Sequence, residues 1–264
     1  MLKSDHTRER SVRAGIIIPI FGRPELTTAV LADLVQDDAD FDVWLMDNKG
    51  DFEAESRSVG VLRPHRNLGW AGGCNYGVSE LWDRGYGVFI LLNNDVRLSP
   101  FFVTRLLQAV EATAGDVVGP VYDHNWPHQR RSYSGPARDY TGWAREHLVP
   151  FVDGTCMVIR RRVIERVGLL DEESWPMHGW GCDKDYALRV RMTGGSVWVT
   201  ERCYMNHLAR QTAAGFPHYS ELEAERENNQ GMSAKWGPEW RALLYHGFSD
   251  VSQIGLVQER FSEE

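Results

Sequence analysis

Short apolar runs alternate with segments of helical spacing between residues 15 and 121, and this alternation constrains the fold more than any other feature. The strongest run is Val88–Leu92, which is too short for a helix and leads directly into turn-forming residues. Weaker runs of the same kind occupy residues 15–20, 42–47, 59–62 and 116–121. Strands that alternate with helices predict an α/β fold whose central sheet is mostly parallel and covered on both faces.

The second half of the chain has a less regular pattern. Residues 122–149 are polar and aromatic without a clear period, which indicates loops and short strands. Further strands are predicted at residues 152–159 and 196–200, and further helices at 161–167, 183–192 and 219–236. We therefore expect three parts, namely a flexible arm (residues 1–13), a single α/β domain (14–214) and a helical C-terminal extension (215–264).

Charge and composition exclude several classes of protein. The formal net charge of −8 disfavours a general binder of nucleic acid backbones. No apolar run approaches the roughly 20 residues of a membrane-spanning helix, and no secretory signal is apparent. The four cysteines form no C-x-x-C pair, which favours reduced thiols over a disulfide framework. These features predict a cytoplasmic protein without a transmembrane segment.

The triplet Asn93-Asn94-Asp95 follows the strongest strand directly. Open α/β sheets bind their ligands at the carboxyl ends of their strands. A carboxylate beside carboxamide oxygens suits a hard divalent cation such as Mg²⁺ or Mn²⁺, which can bridge to a diphosphate. The alternative is a solvated turn, because Asn and Asp are common turn formers.

Two more segments are expected near the same edge of the sheet. Asp47 ends the strand at residues 42–47, where its carboxylate can accept hydrogen bonds from a nucleotide base or a ribose, or can instead form an Asx turn. The glycine-rich residues 69–73 either let a phosphate approach a helix N-terminus or form a packing turn. They do not match a Walker loop.

Aromatic and acidic residues are concentrated between residues 175 and 185. Trp175 and Trp180 can stack on the C–H faces of a sugar, or can equally belong to the core. Asp183 lies at the start of a predicted helix, where it is either a simple cap or a general base for an acceptor hydroxyl. His207 follows the last predicted strand and is a candidate metal ligand or phosphate contact, with a structural role as the alternative.

Taken in order, these segments resemble the family 2 glycosyltransferases, particularly their rhamnosyltransferase-like branch, over about residues 14–210. Ile18-Pro19-Ile20-Phe21 resembles the end of the family's first strand, and Asp47 stands where the family has an acid that contacts the base. Residues 67–75 resemble its N-x-G-x-(A/G)-G-x-N segment, with one additional residue.

The remaining motifs follow in the family's order. Asn93-Asn94-Asp95 resembles the N-x-D form of the family's D-x-D motif, whose last acid binds the metal. Residues 154–161 and 168–171 resemble the G-x-x-x-x-x-R-R stretch and the G-x-x-D that follows it. Residues 182–189 resemble the E-D-x-D-x-x-x-R box that provides the catalytic base, although Cys182 replaces its usual glutamate, and His207 completes the pattern.

The resemblance implies a single GT-A domain, the Rossmann-like fold of nucleotide-diphospho-sugar transferases. It implies transfer of a sugar from a nucleoside-diphosphate sugar to an acceptor hydroxyl, with inversion and with Asp183 as general base. A divalent cation, Mn²⁺ or Mg²⁺, would be held by Asp95 and His207. It further implies donor contacts from Pro19, Phe21, Asp47, Asn67, Gly72, Asn75, Asn93 and Asn94, and acceptor contacts from Trp175, His178, Trp180 and Asp185.

The sequence is also compatible with other functions. The chain can be a non-catalytic sugar- or nucleotide-binding module derived from a transferase, although retention of Asp95 and Asp183 argues against this. A sugar nucleotidyltransferase would need a longer basic loop after the first strand than Phe21-Gly22-Arg23-Pro24. The acceptor can be a glycan, a lipid-linked sugar, a protein side chain or a modified nucleobase, and a homodimer is also left open.

Overall fold

A computed structural model describes residues 13–54, 58–124, 126–130, 133–176, 178–208, 211 and 220–248. Its strands are β1 (Ala14–Ile20), β2 (Phe41–Asp47), β3 (Val59–Leu62), β4 (Val88–Leu92), β5 (Val96–Leu98), β6 (Val117–Tyr122), β7 (Glu146–Leu148), β8 (Cys156–Arg160) and β9 (Val197–His207). Its helices are α1 (Pro24–Leu34), α2 (Gly69–Leu81), α3 (Phe102–Thr113), α4 (Arg161–Val167), α5 (Cys182–Met192), α6 (Glu221–Trp236) and α7 (Trp240–Tyr245).

The strands of the described residues form one sheet in the order β3-β2-β1-β4-β8-β6-β9-β5, and β7 pairs with β9. Strands β1 to β4, β6 and β9 run in one direction, whereas β5, β7 and β8 run against them. The mostly parallel α/β sheet predicted from the sequence is therefore confirmed. The antiparallel strand β8 separates the first parallel group from β6 and β9.

Strand β1 lies in the middle of this sheet and is buried on both faces. Ile16, Ile17 and Ile18 have no exposed surface. Because successive side chains of a strand point to opposite faces, Ile17 packs in the core cluster that includes α2 and α5, whereas Ile16 and Ile18 pack in the cluster that includes α1 and α3. Helices therefore cover both faces, and polar groups collect at the ends of the strands.

Helix α2 lies unusually close to the sheet at Gly77. A Cβ atom at this position would lie 2.7 Å from Cγ2 of Ile17 and 2.9 Å from the sulfur of Met46. Only glycine permits this approach without a shift of the strand or the helix. The close packing fixes the N-terminal end of α2 beside the carboxyl ends of β1 and β2.

The structure corrects three expectations about the strands near the site. The last strand continues to His207 instead of ending near residue 200. The short strand β5 follows Asp95 directly and was not predicted. The strand predicted from residue 152 begins only at Cys156, which leaves Asp153 and Gly154 in a loop. In each case the partner strand, which is distant in sequence, decides where pairing begins and ends.

The C-terminal helices α6 and α7 belong to the same core as the sheet. Met232, Trp240 and Leu244 are almost completely buried and lie in the core cluster that contains Ile17 and Phe151. The predicted helical character of this region is confirmed. The predicted boundary at residues 214 and 215 lies outside the described residues, as does all of the predicted N-terminal arm except Arg13. Among the described helices, none is long and apolar enough to cross a membrane.

We expect Met232→Ala to lower the free energy of unfolding by about 2–5 kcal/mol, because it leaves a cavity in the shared core. Leu222→Ala on the same helix is the matched control, since Leu222 is 72% exposed and its truncation creates no cavity. Chemical denaturation of both variants measures the difference. Equal, small effects would show that α6 does not contribute to the core.

Candidate functional site

The candidate site lies at the carboxyl edge of the parallel strands. Asp47 ends β2, and Asn93, Asn94 and Asp95 follow β4. Strand β8 is antiparallel to β4, with Cys156 opposite Leu92, so the loop that precedes β8 reaches the same edge. The fold thus collects polar residues from distant parts of the sequence at one end of the sheet.

Asp95 and His207 form a pair at this edge. Strands β5 and β9 are antiparallel, with Val96 opposite His207, and this register places the two side chains together. Nε2 of His207 lies 3.4 Å from Oδ1 of Asp95. The backbone amide of Gln211 donates to the other carboxylate oxygen of Asp95 at 3.3 Å.

The electrostatics of this pair favour its charged form. Burial alone would raise the pKa of Asp95, but the hydrogen bond and the charge of His207 outweigh it and lower that pKa. Burial alone would lower the pKa of His207, but Asp95, Asp153 and Asp123 together raise it. Each partner therefore stabilises the ionised form of the other.

The same pair has the chemistry of a partial cation site. A carboxylate and an imidazole are common ligands of divalent metals, and Nδ1 of His207 is buried without a hydrogen-bond partner. Within the described ranges no group of three or more His, Cys, Asp and Glu side chains is arranged to hold a metal. Mg²⁺ often takes one or two carboxylates and obtains its other ligands from substrate phosphates and water. The residues present fit such a cation.

A continuous path of contacts joins the Asn93 end of β4 to Asp183. The indole N–H of Trp70 donates to Oδ1 of Asn93 at 2.7 Å. The Trp70 ring packs on Gly154, where a Cβ would lie 3.0 Å from the ring. The Gly154 amide donates to Oδ2 of Asp183 at 3.3 Å. The structure therefore brings Asn93 and Asp183 to the same edge.

Asp183 lies in the first turn of α5 and is 8% exposed. Its Oδ1 accepts from the amide of Lys184 at 2.8 Å and lies 3.4 Å from the Lys184 ammonium. Burial raises the pKa of Asp183, with a contribution from Asp153 in the same direction, and Lys184 opposes the shift. A carboxylate whose pKa is raised toward neutrality is a stronger base than an ordinary aspartate.

Asp153, which was not predicted from the sequence, lies in the loop before β8. Its Oδ2 accepts from the indole N–H of Trp126 at 2.8 Å, and its Oδ1 accepts from the amide of Thr155 at 2.9 Å. Its charge acts on both His207 and Asp183. The Asp-Gly-Thr sequence directly before a strand was the available signal, but the strand was predicted from residue 152, four residues before its start at Cys156, so Asp153 was assigned to the strand.

Asp47 lies at the predicted edge but does not face open space. The side chain has no exposed surface. Its two oxygens accept from the amides of Gly50 at 2.8 Å and Phe52 at 2.9 Å, and Arg63 lies 3.4 Å from one of them. The structure has the Asx-turn alternative, and a contact of Asp47 with a nucleotide base stays a prediction.

At three other predicted donor contacts the fold already uses the polar atoms or the surface, and donor binding by these residues stays a prediction. Asn94 is 4% exposed and donates to Oγ1 of Thr27 at 3.1 Å, which ties β4 to α1. Asn75 exchanges two hydrogen bonds with the backbone of Leu170. At Gly72 a Cβ would lie 2.5 Å from a carboxylate oxygen of Glu172, so a phosphate there would meet a like charge.

Three further predicted donor contacts, from Asn67, Pro19 and Phe21, also stay predictions. Oδ1 of Asn67 accepts from the amide of Gly69 at 2.9 Å at the start of α2. Pro19 is partly buried and packs near Gly73, and Phe21 is partly exposed in the loop after β1. Each of these residues lies close to the edge that carries Asn93.

Most of the predicted acceptor residues are also engaged in contacts within the fold. Trp175 is 2% exposed and lies against Gly181 and Gly231, which makes it a core residue. Both the amide and Nδ1 of His178 contact Glu227 of α6. Trp175 and His178 thus have structural roles, Trp180 is half-buried, and acceptor contacts of all three residues stay predictions.

Asp185, the fourth predicted acceptor residue, also has a structural role. It is fully buried, and its carboxylate binds Arg189 at 2.8 Å, Lys235 at 2.8 Å and the indole N–H of Trp236 at 2.9 Å. These contacts join α5 to α6. Asp185 belongs to the same E-D-x-D-x-x-x-R motif as Asp183, but the helical turn directs the two carboxylates to different surroundings.

We expect Asp185→Ala to lower the free energy of unfolding by on the order of 3 kcal/mol, because it leaves the partly buried Arg189 without its counter-charge and removes one of the two carboxylates that bind Lys235. Thermal and urea denaturation measure this loss. Glu173→Ala, at an exposed position in the preceding loop, is the control and should be nearly neutral. A change below about 1 kcal/mol for Asp185→Ala would contradict the structural role.

Comparison with known proteins identifies the family of the chain. The sequence model described as "Glycosyl transferase family 2" matches residues 15–168. Uncharacterized proteins of Mycobacterium bovis and Mycobacterium tuberculosis are 38% identical over 198 residues, which is 75% of this chain and 75% of theirs.

Two solved structures share the fold at low sequence identity. GalNAc-T7 with UDP, GalNAc and Mn²⁺ superposes with a TM-score of 0.65 at 12% identity, over 96% of this chain and 55% of that one. The mannosyltransferase PcManGT from Pyrobaculum calidifontis, with GDP-Man and Mn²⁺, gives 0.53 at 13% identity, over 94% and 79%. The expected GT-A fold is thus confirmed, while the rhamnosyltransferase-like branch stays a prediction. The chain belongs to glycosyl transferase family 2.

Proposed function

We propose that this glycosyltransferase moves a sugar from a nucleoside-diphosphate sugar to an acceptor hydroxyl, in one displacement with inversion at the anomeric carbon. Asp183 acts as the general base. The observation that carries the proposal is the position of this buried carboxylate, which shares one edge of the sheet with Asn93 and with the Asp95–His207 pair.

Asp183 has the properties that this role requires. Its carboxylate is fixed by two backbone amides, so its direction is set before substrate arrives. Burial raises its pKa, which strengthens it as an acceptor of the hydroxyl proton at neutral pH. The hydroxyl oxygen forms the new bond to the anomeric carbon, its proton passes to Asp183, and the bond to the nucleoside diphosphate breaks.

Asp95 and His207 would hold a divalent cation beside the diphosphate of the donor. When bound, the cation supplies Lewis-acid stabilisation of the charge on the departing diphosphate. Competition between the cation and the proton on His207 is expected, because a ligating imidazole must be neutral. The Mn²⁺, UDP and GDP-Man in the two similar structures support a nucleotide-sugar donor and a divalent cation, although both relatives are distant.

Trp70 and Asp153 fix the structure around Asp183 and the residues at the ends of β4 and β9. Trp70 links Asn93 to the Gly154 loop through its indole N–H and its ring. Asp153 holds Trp126 and the start of β8. Rigid placement of the reacting groups supplies much of the rate in a bimolecular reaction, because the donor and the acceptor are aligned before they react.

A thermal-shift panel of nucleoside diphosphates and sugar nucleotides, with and without Mn²⁺, tests donor binding. A ligand at about 100 times its Kd stabilises the folded state by about 2.7 kcal/mol, so we expect a rise of several degrees in Tm with one nucleotide class and Mn²⁺. No stabilisation by any nucleotide would contradict the proposal. Stabilisation without release of free nucleoside diphosphate from any sugar nucleotide would favour the non-catalytic binding module instead.

A further inference from the structure

Lys184 is a buried cation next to the proposed base, and nothing in the function described above uses it. It is 7% exposed, and its ammonium lies 3.4 Å from Oδ1 of Asp183. Neighbouring residues on a helix normally point in different directions, so a contact between side chains at adjacent positions requires a local cause. That cause lies in the aromatic residues that surround the ammonium.

Two aromatic rings lie close to the Lys184 ammonium. Its Nζ lies 5.0 Å from the centroid of the Trp126 ring and 5.2 Å from that of Phe151, within the range of cation–π attraction. The two rings contact each other edge to face at 4.9 Å, which fixes the shape of this aromatic wall. Trp126 also donates its indole N–H to Asp153, so the wall is attached to the loop that carries Gly154.

The charges around Asp183 make a nearby cation important. Asp153, on the loop before β8, adds a second negative charge that disfavours ionisation of Asp183. Tyr122 at the end of β6 and Tyr245 of α7 interact with the same carboxylate as neutral phenols, and the buried thiol of Cys182 is also close. Among these described neighbours, Lys184 alone carries a positive charge next to Asp183.

We propose that Lys184 is a positioning residue for the transfer reaction, held by Trp126 and Phe151 so that its ammonium keeps the Asp183 carboxylate ionised and correctly oriented. The inference rests on the proposed function, because it assigns Lys184 a role through the base. An opposite charge within about 4–6 Å changes the pKa of a carboxyl by about 1–3 units. Loss of this charge therefore adds to the effect of burial and of Asp153, which raise the pKa of Asp183.

The test is the pH profile of kcat/KM for Lys184→Met and Lys184→Arg, measured as sugar transfer or as release of nucleoside diphosphate. Met has a similar length and suits an aromatic environment, but it has no charge. We expect its acidic limb to move to higher pH by about one unit or more, with about a tenfold loss at the acidic end and recovery toward the wild-type rate at high pH. Lys184→Arg keeps the charge, so its acidic limb should stay close to that of the wild type.

Lys184→Gln is a second neutral variant, in case Lys184→Met does not fold. An acidic limb that stays at the wild-type pH in a folded neutral variant would overturn the inference. An equal loss of activity at every pH would also overturn it, because that pattern indicates a purely structural role.

Asp183→Asn, assayed in parallel, separates the two proposals. Near-normal activity of this variant would overturn Asp183 as the base. An inactive Asp183→Asn together with an unmoved profile for the neutral Lys184 variants would overturn only the role of Lys184.

Discussion

Asp183→Asn is expected to reduce the rate of sugar transfer by about 10²–10⁴-fold at neutral pH, because the carboxamide cannot accept the proton of the acceptor hydroxyl. The shape of the side chain is retained, and an oxygen remains to accept a backbone hydrogen bond from Gly154 or Lys184. The substitution also removes a charge whose burial is unfavourable, and Lys184, which loses this partner, keeps the negative charge of Asp153 nearby. We therefore expect Tm to change by only a few degrees while activity is lost.

The measurement compares transfer rates and donor affinity for the wild type, Asp183→Asn and Glu80→Gln. Glu80 lies on the exposed face of α2, so its neutralisation changes the net charge by the same amount without affecting the site. Nucleotide-induced stabilisation should be nearly unchanged in Asp183→Asn, because Asp183 is assigned to the acceptor side. Transfer at a near-normal rate by a folded Asp183→Asn would eliminate this residue as the base.

Asp95→Asn is expected to reduce transfer by about 10²-fold or more, since stabilisation of the departing diphosphate by a bound cation contributes several kcal/mol to the transition state. The second measurement is the binding of a nucleoside diphosphate to the variant. Stabilisation by a nucleoside diphosphate should lose its dependence on Mn²⁺, because the variant lacks the carboxylate of the proposed cation site. Treatment of the wild type with a chelator should reproduce both effects.

Glu165→Gln provides the control for this experiment. Glu165 is on α4, is 54% exposed at its side chain, and forms a surface ion pair with Arg161. Its neutralisation should leave transfer and Mn²⁺-dependent binding unchanged. The cation assignment would fail if Asp95→Asn kept the wild-type response to Mn²⁺ in both binding and activity, or if the chelator had no effect on the wild type.

The pattern of apolar residues determined the secondary structure and the class of the fold. Runs such as Val88–Leu92 can be buried on both faces only as central strands, and the helical segments between them then cover the sheet. The same logic located the edge at which polar residues follow the strands. This argument, together with the order of the family's motifs, predicted that Asp47, Asp95 and Asp183 lie near one another.

The local pattern was not sufficient to assign the roles of the polar residues. Asn75, Asn94 and Asp185 have the residue types expected of binding groups, but their partners are Leu170, Thr27, and the α6 residues Lys235 and Trp236. All of these partners are at least 50 residues away in sequence. Hydrogen bonding to such partners is decided by packing, which no motif encodes.

The sequence by itself determined the α/β sheet, the family and the segments that form the edge of the sheet, because apolar periodicity and motif order are properties of neighbouring residues. The tertiary structure alone decided which polar atoms at that edge are used by the fold and which face the candidate site. It paired Asp95 with His207, enclosed Asp47 in its own turn, and brought Asp153, Trp126 and Lys184 around Asp183. The physical reason is that a buried polar group must find a partner, and only the folded chain determines which partners lie within reach.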